Sequence, residues 1–292
     1  MTREIQPSRS TELPPWSHLT PNKVNRWSFS KVFSNIVISA LSIFFAVPML
    51  WLALASVDKN ATFQTKLPVL TAEHYIVSLE SGNLAALRNS LVISLVASTI
   101  GTVAAFFAAY SFSRHHIVWK GPILLGILFL SGVPITILIV PMYEMFSSAG
   151  LLTMFPTAVL LGVTALPFQI YLIKNFIDAI PRDLEEAAYI ERAKTWHVLW
   201  SVILPLTMPG LASAALFGFV NAWGSFLIPL VLISSDNQQA APVRLFGFVN
   251  ATSIDYGAIA AYSIIYSLPV VVLYLALSRQ FKAGFVLGGA VR

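Results

Sequence analysis

The chain has 292 residues, of which 57% are hydrophobic and 11% charged, with a formal net charge of +5 and no cysteine. An ordinary soluble domain carries about 25% charged residues, so polar side chains here are too few to wrap a water-soluble core of this size, and a membrane is the solvent that fits. The lack of cysteine excludes disulfides and thiolate metal sites.

In chain order, residues 1–31 are polar and basic and read as a tail. No short apolar stretch ending in a small-residue cleavage site appears there, so no cleaved signal peptide is expected. A membrane-crossing helix needs about 20 mostly apolar residues. Six stretches qualify, at 32–57, 89–112, 121–146, 151–177, 208–233 and 256–278. The expected fold is an all-α integral membrane protein with six transmembrane helices. Ser147-Ser148-Ala149-Gly150 is all that separates the third span from the fourth, so these two form a tight hairpin. Prolines recur within the spans, at Pro48, Pro134, Pro141, Pro156, Pro167, Pro229 and Pro269. Each removes a backbone donor, which suits either bent helices around a pathway or kinks that only shape packing.

Lysine and arginine set the orientation. With the N-terminus cytoplasmic, that side collects fourteen of them: Arg3, Arg9, Lys23, Arg26, Lys31, Arg114, Lys120, Lys174, Arg182, Arg192, Lys194, Arg279, Lys282 and Arg292. The other side keeps four, Lys59, Lys66, Arg88 and Arg244. Both termini are therefore expected in the cytoplasm, with the chain crossing the membrane several times.

Between spans four and five lies a short charged segment, Asp183 to Ala193. Asp183 is placed to cap a helix, with Glu186 three residues on to reach back, and acidic residues suit the positive end of a helix dipole. Ala187 and Ala188 keep one face low, so that another surface can approach the backbone. Trp196, Val198, Leu199 and Val202 continue the apolar pattern until Pro205 and Pro209, which are expected to stop the helix and turn the chain into span five. The whole reads as a helical foot at the cytoplasmic membrane surface.

That foot resembles the EAA loop of the integral membrane subunits of bacterial ATP-binding-cassette importers. Glu186-Ala187-Ala188 and Leu204-Pro205 match its pattern at the right spacing, and Val202 is a mild substitute for its isoleucine. Glu191 stands where that family often has aspartate, and Arg192 stands in place of its glycine. A long charged side chain is a poor fit to a positive-φ elbow, so the bend is expected elsewhere or the segment is expected to run on as helix. Asn89-Ser90-Leu91, Pro141-Met142-Tyr143, Gly150-Leu151, Leu166-Pro167-Phe168 and Ile180-Pro181 are similar to the carbohydrate-uptake branch, and Phe281 to Arg292 resembles the tail of a maltose-type second permease. The resemblance runs from about residue 70 to the end, and it implies a transmembrane permease domain over 32–292 with its core at about 85–280.

The resemblance implies a set of roles. Glu185, Glu186, Ala187, Ala188, Ile190, Glu191, Arg192, Leu204 and Pro205 would couple the chain to a cytoplasmic ATPase. Read from residue type and spacing and not from the resemblance, Asn221, Trp223, Ser225 and Tyr143 would line the translocation pathway, with Asn221, Ser225 and Pro229 on one helical face; plain helix packing with an interhelical asparagine bond explains the same stripe. Gln169, Tyr171 and Asn175 are weaker candidates for a gate. Asp236, Asn237, Gln238, Gln239 and Arg244, between spans five and six, would meet a solute-binding protein. Glu144, near the outer end of span three, reads as a snorkelling side chain.

No phosphate-binding GxxxxGK[ST] loop is present, and no catalytic or metal site is expected, so ATP and magnesium would be bound by a partner. The implied assembly is this chain, a homologous second permease, two ATP-binding subunits and the binding protein, in a lipid bilayer and without nucleic acid. The implied cargo is a sugar or oligosaccharide. Two alternatives stand beside it: a secondary transporter that needs no ATPase, and an importer of a non-sugar or acidic, alginate-type substrate.

Overall fold

The computed structural model describes residues 29–64, 68–249 and 254–289, with side chains given for these except at 29, 30, 32 and 279–289. The tail over 1–28, Lys66, Asn250 and the terminal residues 290–292 lie outside the described residues, as do the side chains of the motif from Phe281 onward. The chain divides into two compact units, Met1–Leu50 and Trp51–Arg292. Described residues of the first belong to α1 (Phe29–Ser56), which carries no charged residue from Phe33 on and includes Pro48. The 24 mostly apolar residues from Phe33 to Ser56, at about 1.5 Å each, exceed the roughly 30 Å of a hydrocarbon core.

In the second unit the described residues form helices and no strands beyond two isolated bridges, Asp58 with Leu70 and Val249 with Ile254. A short helix α2 (Glu73–Ser78) leads into α3 (Ser81–Arg114). Then come α4 (Lys120–Leu130), a 3-10 turn at Ile135–Leu138, α5 (Ile139–Ser148) and α6 (Met154–Asp178). The foot contributes α7 (Asp183–Ile190) and α8 (Thr195–Val198), followed by α9 (Leu204–Trp223) and α10 (Leu227–Leu232). A 3-10 turn at Asp236–Gln238, α11 (Ala241–Phe246) and α12 (Tyr256–Gly289) complete the chain. Among the described residues, five helices are long and apolar enough to cross a membrane, and the α4–α5 pair makes a sixth if counted as one span.

That pair covers the third stretch, and its two halves meet at 77°, a bent helix of the kind the prolines suit. Gly132 and Pro134 explain the break. Proline disfavours helical backbone at the preceding Val133 and supplies no N–H, and the last carbonyls of α4 are taken instead by the N–H groups of Ser131, Gly132 and Val133 at 3.0–3.2 Å.

Helices α3, α6 and α9 form the centre of the unit, and small residues let them approach. Ala97, Gly101, Ala105 and Ala109 recur every four positions along α3, all buried; so do Gly210, Ala214, Gly218 and Ala222 on α9. Such stripes let backbones approach closely where lipid supplies no hydrophobic drive between helices. A β-carbon at Gly162 would lie 2.7 Å from the Ala97 carbonyl oxygen, so only glycine fits that crossing. Gln169, fully buried, sits where the three helices meet. Its amide nitrogen donates to the Ala214 carbonyl at 2.9 Å and to the Thr102 hydroxyl oxygen at 3.2 Å. Ser98 adds a bond to the Ala215 carbonyl at 2.7 Å. These donors are thus spent between helices, while the Gln169 amide oxygen and the Ser94 hydroxyl are buried without a hydrogen-bond partner among the described residues. The α3–α6–α9 bundle carries the foot at one end and the loop from Ser234 to Val249 at the other.

Candidate functional site

The foot begins one residue earlier than capping chemistry suggests. Arg182 already has helical φ and ψ and stands at the N-cap without a side-chain cap bond. The N–H of Leu184 points to the Pro181 carbonyl, and those of Glu185 and Glu186 to the Arg182 carbonyl at 2.9 and 3.0 Å. Those bonds leave Asp183 no N–H to cap, which corrects the expected Asp183–Glu186 box. Asp183, Glu185 and Glu186 do occupy the first turn, where the helix dipole favours them.

The elbow also differs from expectation. Arg192 has φ +59°, and the chain bends there rather than running on as helix. Ala193 donates to the Ala188 carbonyl at 3.0 Å and Arg192 to the Tyr189 carbonyl at 2.9 Å, the bond pair of a Schellman motif with a left-handed residue after the C-cap. Those two bonds satisfy the terminal carbonyls of α7 and offset the cost of placing a non-glycine residue in that region, about 1–2 kcal/mol. After the elbow, Pro205 and Pro209 do not stop the helix. The chain passes from α8 through a π-helical turn, Leu199–Ile203, straight into α9. Pro205 falls in the first turn of α9, where its missing N–H costs little, and the wider π turn absorbs the misfit. The Thr207 hydroxyl bonds back onto the start of α9, lying 2.8 Å from the Ile203 oxygen and 3.1 Å from that of Leu204.

The two faces of α7 do different things. Ala188, with Ala193 and Leu204, packs on the cluster built from Phe106, Tyr110, Ile177, Val198, Leu199 and Ile203. Glu186, Ala187, Glu191, Arg192 and Pro205 are exposed, and Ile190 is 81% exposed. Glu185 turns inward and is buried. Its carboxylate pairs with the Arg114 guanidinium and accepts the Tyr110 hydroxyl at 3.3 Å. Arg114 also donates to the Ile180 carbonyl at 2.9 Å, while neighbouring Ser113 donates to Asp178 at 2.6 Å. The elbow rests on α3 as well, with Trp196 stacked on Phe107 at 6.4 Å and 9°. Sequence reasoning missed Arg114. Its partner Glu185 lies 71 positions on, and no local pattern joins the two.

The remaining candidates fall in two places. On α9, Asn221 is exposed, whereas Trp223 is 3% exposed, stacked on Phe219 and Tyr266. The Trp223 indole N–H donates to the Tyr266 carbonyl at 3.1 Å, and the Tyr266 hydroxyl returns a bond to the Trp223 carbonyl. Within this chain Trp223 therefore keeps no free stacking plane. The helix ends at Trp223, so Ser225 lies in the break before α10 and does not share a helical face with Asn221. Tyr143, on α5, is exposed.

At the opposite end from the foot, Asp236 and Asn237 are exposed. The Gln238 side chain accepts the Met154 N–H at 3.1 Å, tying the loop to the start of α6. Asn89 donates to the carbonyls of Asn237 and Gln239 at 2.9 and 3.1 Å, and Ser90 accepts the Ala241 N–H at 2.7 Å. Arg244 reaches Asp236 at 3.4 Å. The Asn89-Ser90 pair is thus the seat of this loop.

With this geometry in place, the comparisons with known proteins are specific. A family model described as binding-protein-dependent transport system inner membrane component matches residues 97–283. The trehalose transport system permease protein SugB of Mycobacterium tuberculosis is 32% identical over 254 residues, 84% of this chain and 92% of that one. The diacetylchitobiose uptake system permease protein DasC of Streptomyces coelicolor is 25% identical over 91% of this chain and 99% of its own length. The galactooligosaccharides transport system permease protein GanQ of Bacillus subtilis is 29% identical over 93% and 99%. Among solved structures, a bacterial ABC transporter involved in the import of the acidic polysaccharide alginate superposes with a TM-score of 0.71. It is 21% identical and covers 87% of this chain and 99% of that one, a likeness of fold.

Proposed function

The chain belongs to the binding-protein-dependent transport system inner membrane components, and from that premise we propose that it is the permease subunit of an ATP-driven importer of di- or oligosaccharides. As a multi-pass inner-membrane permease it crosses the bilayer six times, the bent α4–α5 pair serving as the third span, with both ends in the cytoplasm. It pairs with a homologous second permease to enclose the pathway. Two ATP-binding subunits dock from the cytoplasm, holding the nucleotide and magnesium, and a solute-binding protein delivers cargo at the outer face. The permease domain is taken as 32–292.

The observation that carries this reading is Ile190, a large apolar side chain 81% exposed at the end of α7. Leaving such a group in water is unfavourable, and a helix held from behind while presenting Glu186, Ala187 and Ile190 forward has the shape of a docking element. ATP binding draws two such feet together and favours the outward-open permease; hydrolysis releases it. Coupling of this kind is differential stabilisation of two states. The sugar class rests on the relatives, whose names specify trehalose, diacetylchitobiose and galactooligosaccharides. Asn221 and Tyr143, exposed and uncharged, are the pathway residues this reading favours; Asp236 and Asn237 lead at the outer face. The deciding experiment isolates the complex through a tag on this chain, rebuilds it in liposomes with its binding protein, and asks which of those sugars stimulates ATP hydrolysis. Stimulation by a neutral disaccharide or oligosaccharide supports the reading. A tagged chain that brings down no nucleotide-binding subunit contradicts it.

A further inference from the structure

We infer that Arg114 is a positioning residue that makes α3, and not α6 alone, the receiver of the foot's displacement; the inference rests on the coupling reading of α7. By the chain itself, α7 is joined to α6 through the four residues Ala179 to Arg182 and to α8 through the elbow Glu191 to Lys194, and has no covalent link to α3. Two such short links let a short helix tilt. Arg114 removes that freedom. It is the last residue of α3, and its one guanidinium bonds both to Glu185 in the first turn of α7 and to the Ile180 carbonyl in the link. The planar fork of arginine fixes two partners at once, which a lysine cannot do. Each charge also sits where its helix dipole favours it, the cation at the end of α3 and the carboxylate at the start of α7.

Burial makes the arrangement telling. The Arg114 and Glu185 side chains are 9% and 8% exposed. Two charges withdrawn from water repay their desolvation only with good geometry and further hydrogen bonds, and an apolar pair would pack α7 as well. Here the further bonds are present: Tyr110 on Glu185, and the chain from Ser113 through Asp178 to Lys174. Glu185 is consequently not part of the face offered to a partner. Above Arg114, α3 is locked to α6 and α9 by the glycine crossings and Gln169, so a push at its end is carried inward by a stiff element.

The test uses the complete complex in liposomes and needs no knowledge of the cargo. The chain contains no cysteine, so Asn221→Cys, and separately Tyr143→Cys, gives it a single thiol. Labelling of this chain by a membrane-impermeant maleimide is then timed with and without MgATP. With Arg114 intact, MgATP is expected to change the labelling rate at one of these sites by about fivefold or more, the lower end of measured coupling. Arg114→Gln should collapse that change to about twofold or less, while Arg114→Lys, which keeps the charge and gives up one arm, should fall between. The double exchange Arg114→Glu with Glu185→Arg should restore at least part of the response, incompletely because both dipole contacts are reversed.

If Arg114→Gln responds like the parent, or if the exchange is no better than Arg114→Gln, the inference is overturned. Should Arg114→Gln fail to assemble, Arg114→Lys and the exchange decide it alone. Ala187→Trp on the outer face separates the two ideas. If it abolishes the response while the Arg114 variants do not, the coupling reading stands and the brace falls. A parent complex with no nucleotide response at either site, or an Ala187→Trp complex that responds in full, overturns the coupling reading itself.

Discussion

The N–H of Ala193 bonds to the carbonyl of Ala188 at 3.0 Å, and the residue enclosed just before it, Arg192, is held at φ +59°. The elbow of the foot is therefore a left-handed turn made without glycine. Arg192→Gly relieves a backbone cost of about 1–2 kcal/mol but adds unfolded-chain entropy of about 0.4–1 kcal/mol. The expected net change is neutral to about 1.6 kcal/mol more stable, with transport retained. Arg192→Val places a β-branched residue in the same conformation and is expected to cost more than about 1 kcal/mol and to reduce uptake. Thermal unfolding in detergent, followed by uptake in liposomes, checks both.

Gln169 ties three helices together at one buried point. Gln169→Leu removes its bonds to Ala214 and Thr102, and interhelical bonds of this kind contribute about 0.6 kcal/mol on average and up to about 1.7. A stability loss in that range is expected, read as a lowered midpoint of thermal aggregation. Gly162→Leu is expected to be far worse, because the obstacle is the Ala97 backbone and not a movable side chain. Failure of that variant to accumulate in the membrane is the predicted result.

Trp223 and Tyr266 exchange hydrogen bonds across the end of α9 and the middle of α12. Trp223→Phe and Tyr266→Phe should each cost about 1 kcal/mol. The double variant should cost less than the sum, since both act on one junction. A Trp223→Phe protein of unchanged stability but altered sugar selectivity would instead place the indole in the pathway.

At the outer face, Asn89→Ala removes the donor that seats Asn237 and Gln239, leaving their carbonyls without it. The expected cost is about 1–3 kcal/mol, together with weaker docking of the solute-binding protein, measured by surface plasmon resonance on the complex in nanodiscs. Asp236→Ala, exposed beside Arg244, should slow association and change its salt dependence, with little effect on stability.

Much of this was legible in the sequence because long apolar runs and lysine–arginine asymmetry are one-dimensional signals. The helices of the first, second, fourth and sixth stretches appear where the composition places them. The foot, too, was visible as charge lodged in grease. What was not legible depends on three-dimensional closure. Arg114 and Glu185 lie 71 positions apart, and nothing local says they meet. The elbow at Arg192 was misread because preference against positive φ is statistical, and two well-made backbone bonds outweigh it. Pro205 and Pro209 were misread as stops because a π turn can absorb a proline ahead of a helix. Trp223 looked available for a ligand until Tyr266, 43 positions later, took its face and its N–H.

The central claim is that the outer face of α7 is covered by an ATPase subunit. Ile190→Cys tests it directly, since the chain has no other thiol. The labelling rate by a small maleimide is compared between this chain alone in detergent and the complete complex. The account predicts rapid labelling of the isolated chain, strong protection in the complex, and a crosslink from position 190 to the nucleotide-binding subunit with a short bifunctional reagent. Equal labelling in both preparations, with no crosslink formed, would contradict it.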